Sequence, residues 1–259
     1  MRSLLIALIL LIPATVSAES RLPFLKDKVP EGVELPLPWG IGVDFFTMDQ
    51  TYNIDYLQFD LPGISLDDPS LLSVSNEAQH FDVKIDAWVL PFLNVFGIIG
   101  HLESDTVIDL SRAPVQGLPF PLKKLPVTTD GTVVGLGFTL AYGNENWFTS
   151  LTGTRTETDL SGNFDSSVDT TTFQPRIGLV RGPWQYWLGG LYIDTEETHK
   201  GTAELDVLGA VPFDVILGNS ADWNTTVGVR HEFSEHAALT FELGFGDRDH
   251  TLFNFTYRF

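Results

Sequence analysis

The side chains able to move protons, hold a metal or pair with a ligand are six histidines, 15 lysines and arginines, and 34 acids. A metalloprotease of the His-Glu-x-x-His type needs two histidines one helical turn apart, with the glutamate as general base. The run His231-Glu232-Phe233-Ser234-Glu235-His236 spaces them wrongly and straddles a polar turn, so that chemistry is not expected. No Gly-x-Ser-x-Gly elbow is present to offer a serine for acyl transfer. Asp194, Glu196, His199, Asp247, Asp249 and His250 gather near the ends of predicted elements and are the candidates for a hydrolytic site at one rim. Such a site requires imidazole and carboxylate groups to converge within about 3–4 Å. Acids also crowd the connections at Asp67, Asp68, Asp159, Asp165, Asp169 and Glu197. Carboxylate oxygens suit calcium or magnesium, but no EF-hand spacing appears, so these acids read as solvated. With no cysteine there is neither a disulfide nor a thiolate ligand, and no metal or cofactor is expected.

Composition narrows the class. A net charge of −19 argues against a nucleic-acid partner, whose phosphates require clustered lysine and arginine. Hydrophobic content of 43% with 12% aromatics is too high for a disordered acidic chain. Residues Met1 to Ser20 carry Arg2, an unbroken apolar run from Leu4 to Ile12, and the small-residue site Val16-Ser17-Ala18. That order matches a secretory signal peptide, and the apolar run is too short to span a bilayer as a helix. The expected organisation is a signal peptide over 1–18, a proline-rich lead-in over 19–38, and one β domain over 39–259.

The remainder alternates. Phe253, Phe255, Tyr257 and Phe259 share one face of the final segment, with Asn254, Thr256 and Arg258 on the other. The same dyad recurs at Leu239 to Gly246, Trp223 to Glu232, Val134 to Tyr142 and Phe81 to Val89. Segments of about ten residues, apolar on one side and polar on the other, mark strands between lipid and a lumen. Large aromatics at strand ends (Trp39, Tyr142, Trp147, Trp184, Tyr186, Trp223, Tyr257) suit interfacial girdles. Connections alternate between short and long, as in a transmembrane barrel. The pattern predicts ten antiparallel strands, near 39–56, 80–90, 93–105, 131–142, 146–156, 170–181, 184–197, 222–232, 237–246 and 250–259. Apolar parity flips near Asp49-Gln50, which predicts a bulge or a turn there and leaves twelve strands as an alternative. Pro175, inside a strand, is expected to break a ladder locally. The long connections are expected to extend the flanking strands as hairpins with a small core of their own, or to fold inward as a constriction.

The tail Phe255-Thr256-Tyr257-Arg258-Phe259 resembles the C-terminal signature of Gram-negative outer-membrane β-barrel proteins. The resemblance implies an outer-membrane location and recognition by the barrel-assembly machinery, with Phe255, Tyr257 and Phe259 as the signal. It implies no particular activity.

The register turns Lys84, Asp86, Gln174, Arg176, Arg230, Glu232, Glu242 and Arg258 toward the lumen. These charges either pair across a packed interior or line a narrow aqueous path. The expected function is a structural or narrow-pore barrel for small solutes. Lipid and lipopolysaccharide are its expected surroundings, and its long outer loops are open to a surface ligand. A hydrolase with a rim site is the alternative. A soluble barrel binding an apolar ligand would instead turn the aromatic face inward.

Overall fold

A computed structural model of the chain describes residues 22–29, 34–59, 72–109, 124–161, 164–205 and 209–259. The signal-peptide segment and the first residues of the lead-in lie outside them. Among the described residues the chain forms eleven antiparallel strands: β1 (Trp39–Phe59), β2 (Ser73–Leu90), β3 (Leu93–Asp109), β4 (Lys124–Gly143), β5 (Trp147–Ser161), β6 (Phe164–Arg181), β7 (Trp184–Leu205), β8 (Gly209–Asn219), β9 (Trp223–Glu232), β10 (Ala237–Phe245) and β11 (Asp249–Arg258). Consecutive strands pair up to β8, and β11 returns to β1, so the sheet closes on itself.

The ring has two different strand numbers along its axis. At the short-turn end β7 pairs with β9 from Trp184 to Tyr192, and β1 pairs with β11 from Gly40 to Asp49. This half is a ten-stranded barrel. Above it β9, β10 and β11 have ended, and β8 takes their place, pairing with β7 from Glu196 to Leu205 and with β1 from Tyr52 to Phe59. This half has eight strands.

Side chains close the seam where one ring becomes the other. The Asn219 amide donates to the Ile193 carbonyl at 2.5 Å, and its oxygen accepts from the Thr195 amide at 2.9 Å. It thereby fills a break in the β7 ladder with the groups a backbone would supply. On the β1 side, the Ser220 hydroxyl donates to the Thr51 carbonyl at 2.9 Å.

The parity flip in β1 has a cause other than the expected bulge or turn. Pairing with β2 runs without a slip from Trp39↔Ala87 to Tyr52↔Val74, and the first register shift in β1 comes later, between Ile54 and Tyr56 against β8. Odd residues face outward throughout this stretch: Trp39 and Phe45 are exposed, while Met48, Gln50 and Tyr52 are buried. What changes is the medium outside. In the ten-stranded half, Leu136 is 74% exposed and Tyr142 71%, beside Ile99, Ile177 and Leu188. In the eight-stranded half the apolar side chains turn inward, with Leu217 and Val74 each 1% exposed. There Tyr52, Val74, Ile108, Val215 and Leu217 form one core, and Ala78, Leu102, Val133, Leu160 and Val168 another. A Leu left in water forgoes roughly 1.5–3 kcal/mol, so a continuous band of exposed Leu, Ile and Phe is stable only against hydrocarbon. The lower half is therefore a transmembrane β-barrel, and the upper half is a water-facing barrel with an ordinary core.

The long connections accordingly extend the strands: β8 and the upper parts of β2 to β7 occupy much of what reads as loop in sequence. The ten strands read from sequence are those of the membrane ring, and β8 is the eleventh. Pro175 keeps its pairing with Leu151 of β5, while the β6–β7 ladder skips Gln174 and Pro175.

Candidate functional site

The membrane ring encloses polar groups that must satisfy one another, because a lone buried charge is several kcal/mol unfavourable. Glu242, on the inner face of β10, is 0% exposed. Its carboxylate accepts from Gln174 at 2.5 Å, from Trp187 Nε1 at 2.6 Å, and from Arg176 through Nε at 3.0 Å and Nη2 at 2.9 Å. The fork of Arg176 also lies over the Trp187 ring at 5.0 Å. His250, on β11, completes the shell with Nε2 at 3.8 Å. Three strands, β6, β7 and β11, thus aim at one carboxylate on β10. Gly228 makes room for it, since a Cβ there would overlap the Trp187 ring at 2.1 Å.

A second layer lies toward the short-turn end. Asp86 is 3% exposed and accepts from Arg258 Nη2 and from Asn94, each at 2.5 Å. Arg258 also donates to the Leu37 carbonyl at 2.8 Å, which ties the end of the lead-in across this mouth. Arg230 and Gln185 share Glu232 at 3.4 and 3.3 Å. Lys84 sits over the Phe96 ring at 5.4 Å. Of the eight residues that alternation turned inward, Gln174, Arg176 and Glu242 thus meet in the first layer. Asp86 pairs with Arg258, Arg230 with Glu232, and Lys84 stands on an aromatic. Sequence reasoning named the charges and missed Trp187 and Asn94, which carry as many of the contacts; their inward parity was the available signal.

Above these layers Met48, Leu191 and Ile193 pack with Phe46, and the upper cores follow. Buried polar groups also stand inside the eight-stranded half, where Gln50, Asn76, Ser104 and Thr106 are hydrogen-bonded together and a histidine lies between two partners. His199 Nε2 lies 2.6 Å from Glu197 Oε1, and its Nδ1 lies 2.9 Å from Ser166 Oγ, with all three residues buried. Tyr52 faces the same glutamate; burial first and the Glu197 charge second push its pKa well above the usual value, so the phenol stays neutral. The rim acids do not converge: Asp194, Glu196, Asp247 and Asp249 are exposed on the outer surface, while His199 and His250 point inward on different strands. Phe255, Tyr257 and Phe259 stand on the exposed, lipid-facing side at the C-terminal end.

No family model matches the chain, and no curated protein matches it. Among solved structures, it is similar to the outer membrane protease OmpT from Escherichia coli at 10% identity, covering 88% of this chain and 99% of that one, with a TM-score of 0.45. An outer membrane channel from Pseudomonas putida F1 follows at 11% identity, covering 89% and 100%, with a TM-score of 0.39. The translocator domain of the autotransporter NalP from Neisseria meningitidis gives 12%, 92% and 94%, with a TM-score of 0.38.

The Glu242 shell sets a quantitative expectation. Glu242→Ala leaves the half-buried Arg176 without its counter-charge and Trp187 Nε1 without its acceptor, and should lower the unfolding free energy by about 3 kcal/mol. Urea titration of the folded band on unheated gels measures it. Glu242→Gln, which keeps an acceptor for Trp187, should lose less.

Proposed function

We propose that this chain is an outer-membrane β-barrel with a closed lumen, whose work is done by the eight-stranded extension it raises above the membrane. The observation that carries this reading is the stacking of two paired-charge layers beneath the clusters around Leu217 and Val133, together with the hydrogen-bonded Gln50, Asn76, Ser104 and Thr106. At about 3.4 Å per residue, β7 runs roughly 40 Å along the strand from Ile193 to Leu205, beyond the end of its pairing with β9. The outer membrane suits a chain with a signal-like N-terminus and a barrel whose short turns and ends share one side. Assembly through Phe255, Tyr257 and Phe259 accompanies that location.

The narrow-pore reading predicts the opposite electrical behaviour. Reconstituted in planar bilayers, the protein should give no sustained conductance at applied voltages up to about the 100 mV scale of membrane potentials. Steady channels of uniform size would overturn the closed-lumen reading.

Hydrolysis is the second reading, and the contact chain Ser166–His199–Glu197 is what favours it. With its proton on Nε2 and donated to Glu197, the imidazole accepts the Ser166 hydroxyl hydrogen at Nδ1, which is the arrangement that activates a serine toward an ester carbonyl. Ser166 lies close to the tip of the β5–β6 hairpin, on the far side from the membrane. A small fluorophosphonate should label Ser166, and not in His199→Gln, if the site acts on esters. An unlabelled Ser166 in folded protein removes catalysis at this place.

A further inference from the structure

At the seam between the two rings, the turn joining β10 to β11 sends an arginine indoors. Arg248 is 3% exposed, yet neither Nη1 nor Nη2 has a hydrogen-bond partner. Its charge reaches the buried Tyr52 phenol, so the side chain points to the interior. The acids that feel the same charge, Asp222 and Asp247, are exposed, and neither bonds to Nη1 or Nη2. The turn itself is fixed. Asn224 Nδ2 donates to the Arg248 carbonyl at 2.7 Å, and a Cβ on Gly246, whose φ is +135°, would lie 2.7 Å from Asn224 Oδ1.

Across the seam stands a second unsatisfied group. The β1–β11 ladder reaches Asp49↔Asp249, and the next residues on its inner side are Gln50 and Arg248. Gln50 is 5% exposed, and its Nε2 donates to the Tyr52 hydroxyl at 2.7 Å and to Asn76 Oδ1 at 3.5 Å. Those bonds fix which way the amide points, and they leave Oε1 buried without a donor. The inner side of the seam thus presents charged donors and a neutral acceptor that do not satisfy each other.

An arginine keeps its proton at any physiological pH, so burial cannot neutralise it as it can a lysine. Water can accept from an N–H but brings no counter-charge, and a buried charge without one is strongly unfavourable. Two N–H groups of one guanidinium suit two oxygens of a single oxyanion. A proton still carried by that anion suits Gln50 Oε1.

We propose that the seam is a binding site for one small oxyanion that retains a proton, of the hydrogen phosphate type, held between Arg248 Nη1 and Nη2 and Gln50 Oε1. The wall here is a turn and not a continuous ladder, so the ion reaches Arg248 from the water-facing side without crossing the lumen. Once bound, it bridges β1 to the β10–β11 turn beyond the point where their ladder stops. The site shares no residue with Ser166, Glu197 and His199.

The test is equilibrium dialysis of the full chain, folded in detergent, against radiolabelled inorganic phosphate. The parent should retain one phosphate per barrel, and should unfold at a higher urea concentration with phosphate than without it. Arg248→Met, which keeps the length of the side chain and removes its charge, should weaken retention about tenfold or more, the size of one hydrogen bond to a charged group. Gln50→Glu, which sets a carboxylate opposite the guanidinium, should displace the ion. Sulfate, which carries no proton near neutral pH, should compete poorly. Lys200→Gln, which removes a positive charge from the exposed face of β7, should retain phosphate as the parent does. Heat-modifiable migration shows that each variant has folded. No phosphate on the folded parent, undiminished retention by Arg248→Met or Gln50→Glu, or sulfate competing as well as phosphate itself would each overturn the proposal.

Discussion

A strand in hydrocarbon has no water to bond its amides and carbonyls, so every one must find a partner in another strand. That requirement forces the sheet of this protein to close, and here it is met with two different strand numbers on one axis. Seven strands run through both halves. Three, β9, β10 and β11, complete the membrane ring, while β8 alone completes the ring above it. The change from ten to eight needs a place where ladders stop and restart. Asn219 and Ser220 occupy that place: the Asn219 side chain bridges the gap in β7, and Ser220 reaches the Thr51 carbonyl with both its hydroxyl and its backbone N–H.

The second constraint is the medium. Below the seam the outer face meets acyl chains and the inner face holds charges; above it the outer face meets water and the inner face holds Val74, Val133 and Leu217. One unbroken strand pairing carries both patterns, because facing is set by the pleat and polarity by the surroundings. A polar interior in the lower half brings a stability cost that apolar packing would avoid. The buried pair Glu242–Arg176 joins β10 to β6, and Asp86–Arg258 bridges over Gly40 of β1 between β2 and β11, so each links strands far apart in sequence.

How much of this could be read beforehand follows from the same two constraints. Period-two alternation gave the membrane strands, their inward charges and the lipid-facing aromatics, because within one medium alternation reports facing directly. The inversion at Asp49-Gln50 defeated it: apolar Phe45 and apolar Tyr52 look like a slipped register until the solvent outside is known to change. The hairpin that holds β8 was legible as an extension of the flanking strands, but its place in the ring was not, since Val215 and Leu217 turn toward a core shared with β1, β2 and β3 that no local pattern announces. Contacts across the lumen, such as Trp187 to Glu242, depend on closure and lie beyond any local window. The contact chain of Ser166, Glu197 and His199 joins two strands facing each other in register, and only the pairing brings Ser166 to His199.

The chain has no cysteine, so single cysteines along β1 can carry a nitroxide label without background. Placed at the outward positions Val43, Phe45, Asp49, Thr51 and Asn53 in vesicle-reconstituted protein, such labels report oxygen access from lipid against nickel-chelate access from water. A change of medium along an unslipped strand predicts lipid access at Val43 and Phe45 and water access from Asp49 onward, all on one face. Lipid access at Thr51 and Asn53, or water access at Val43, would contradict it.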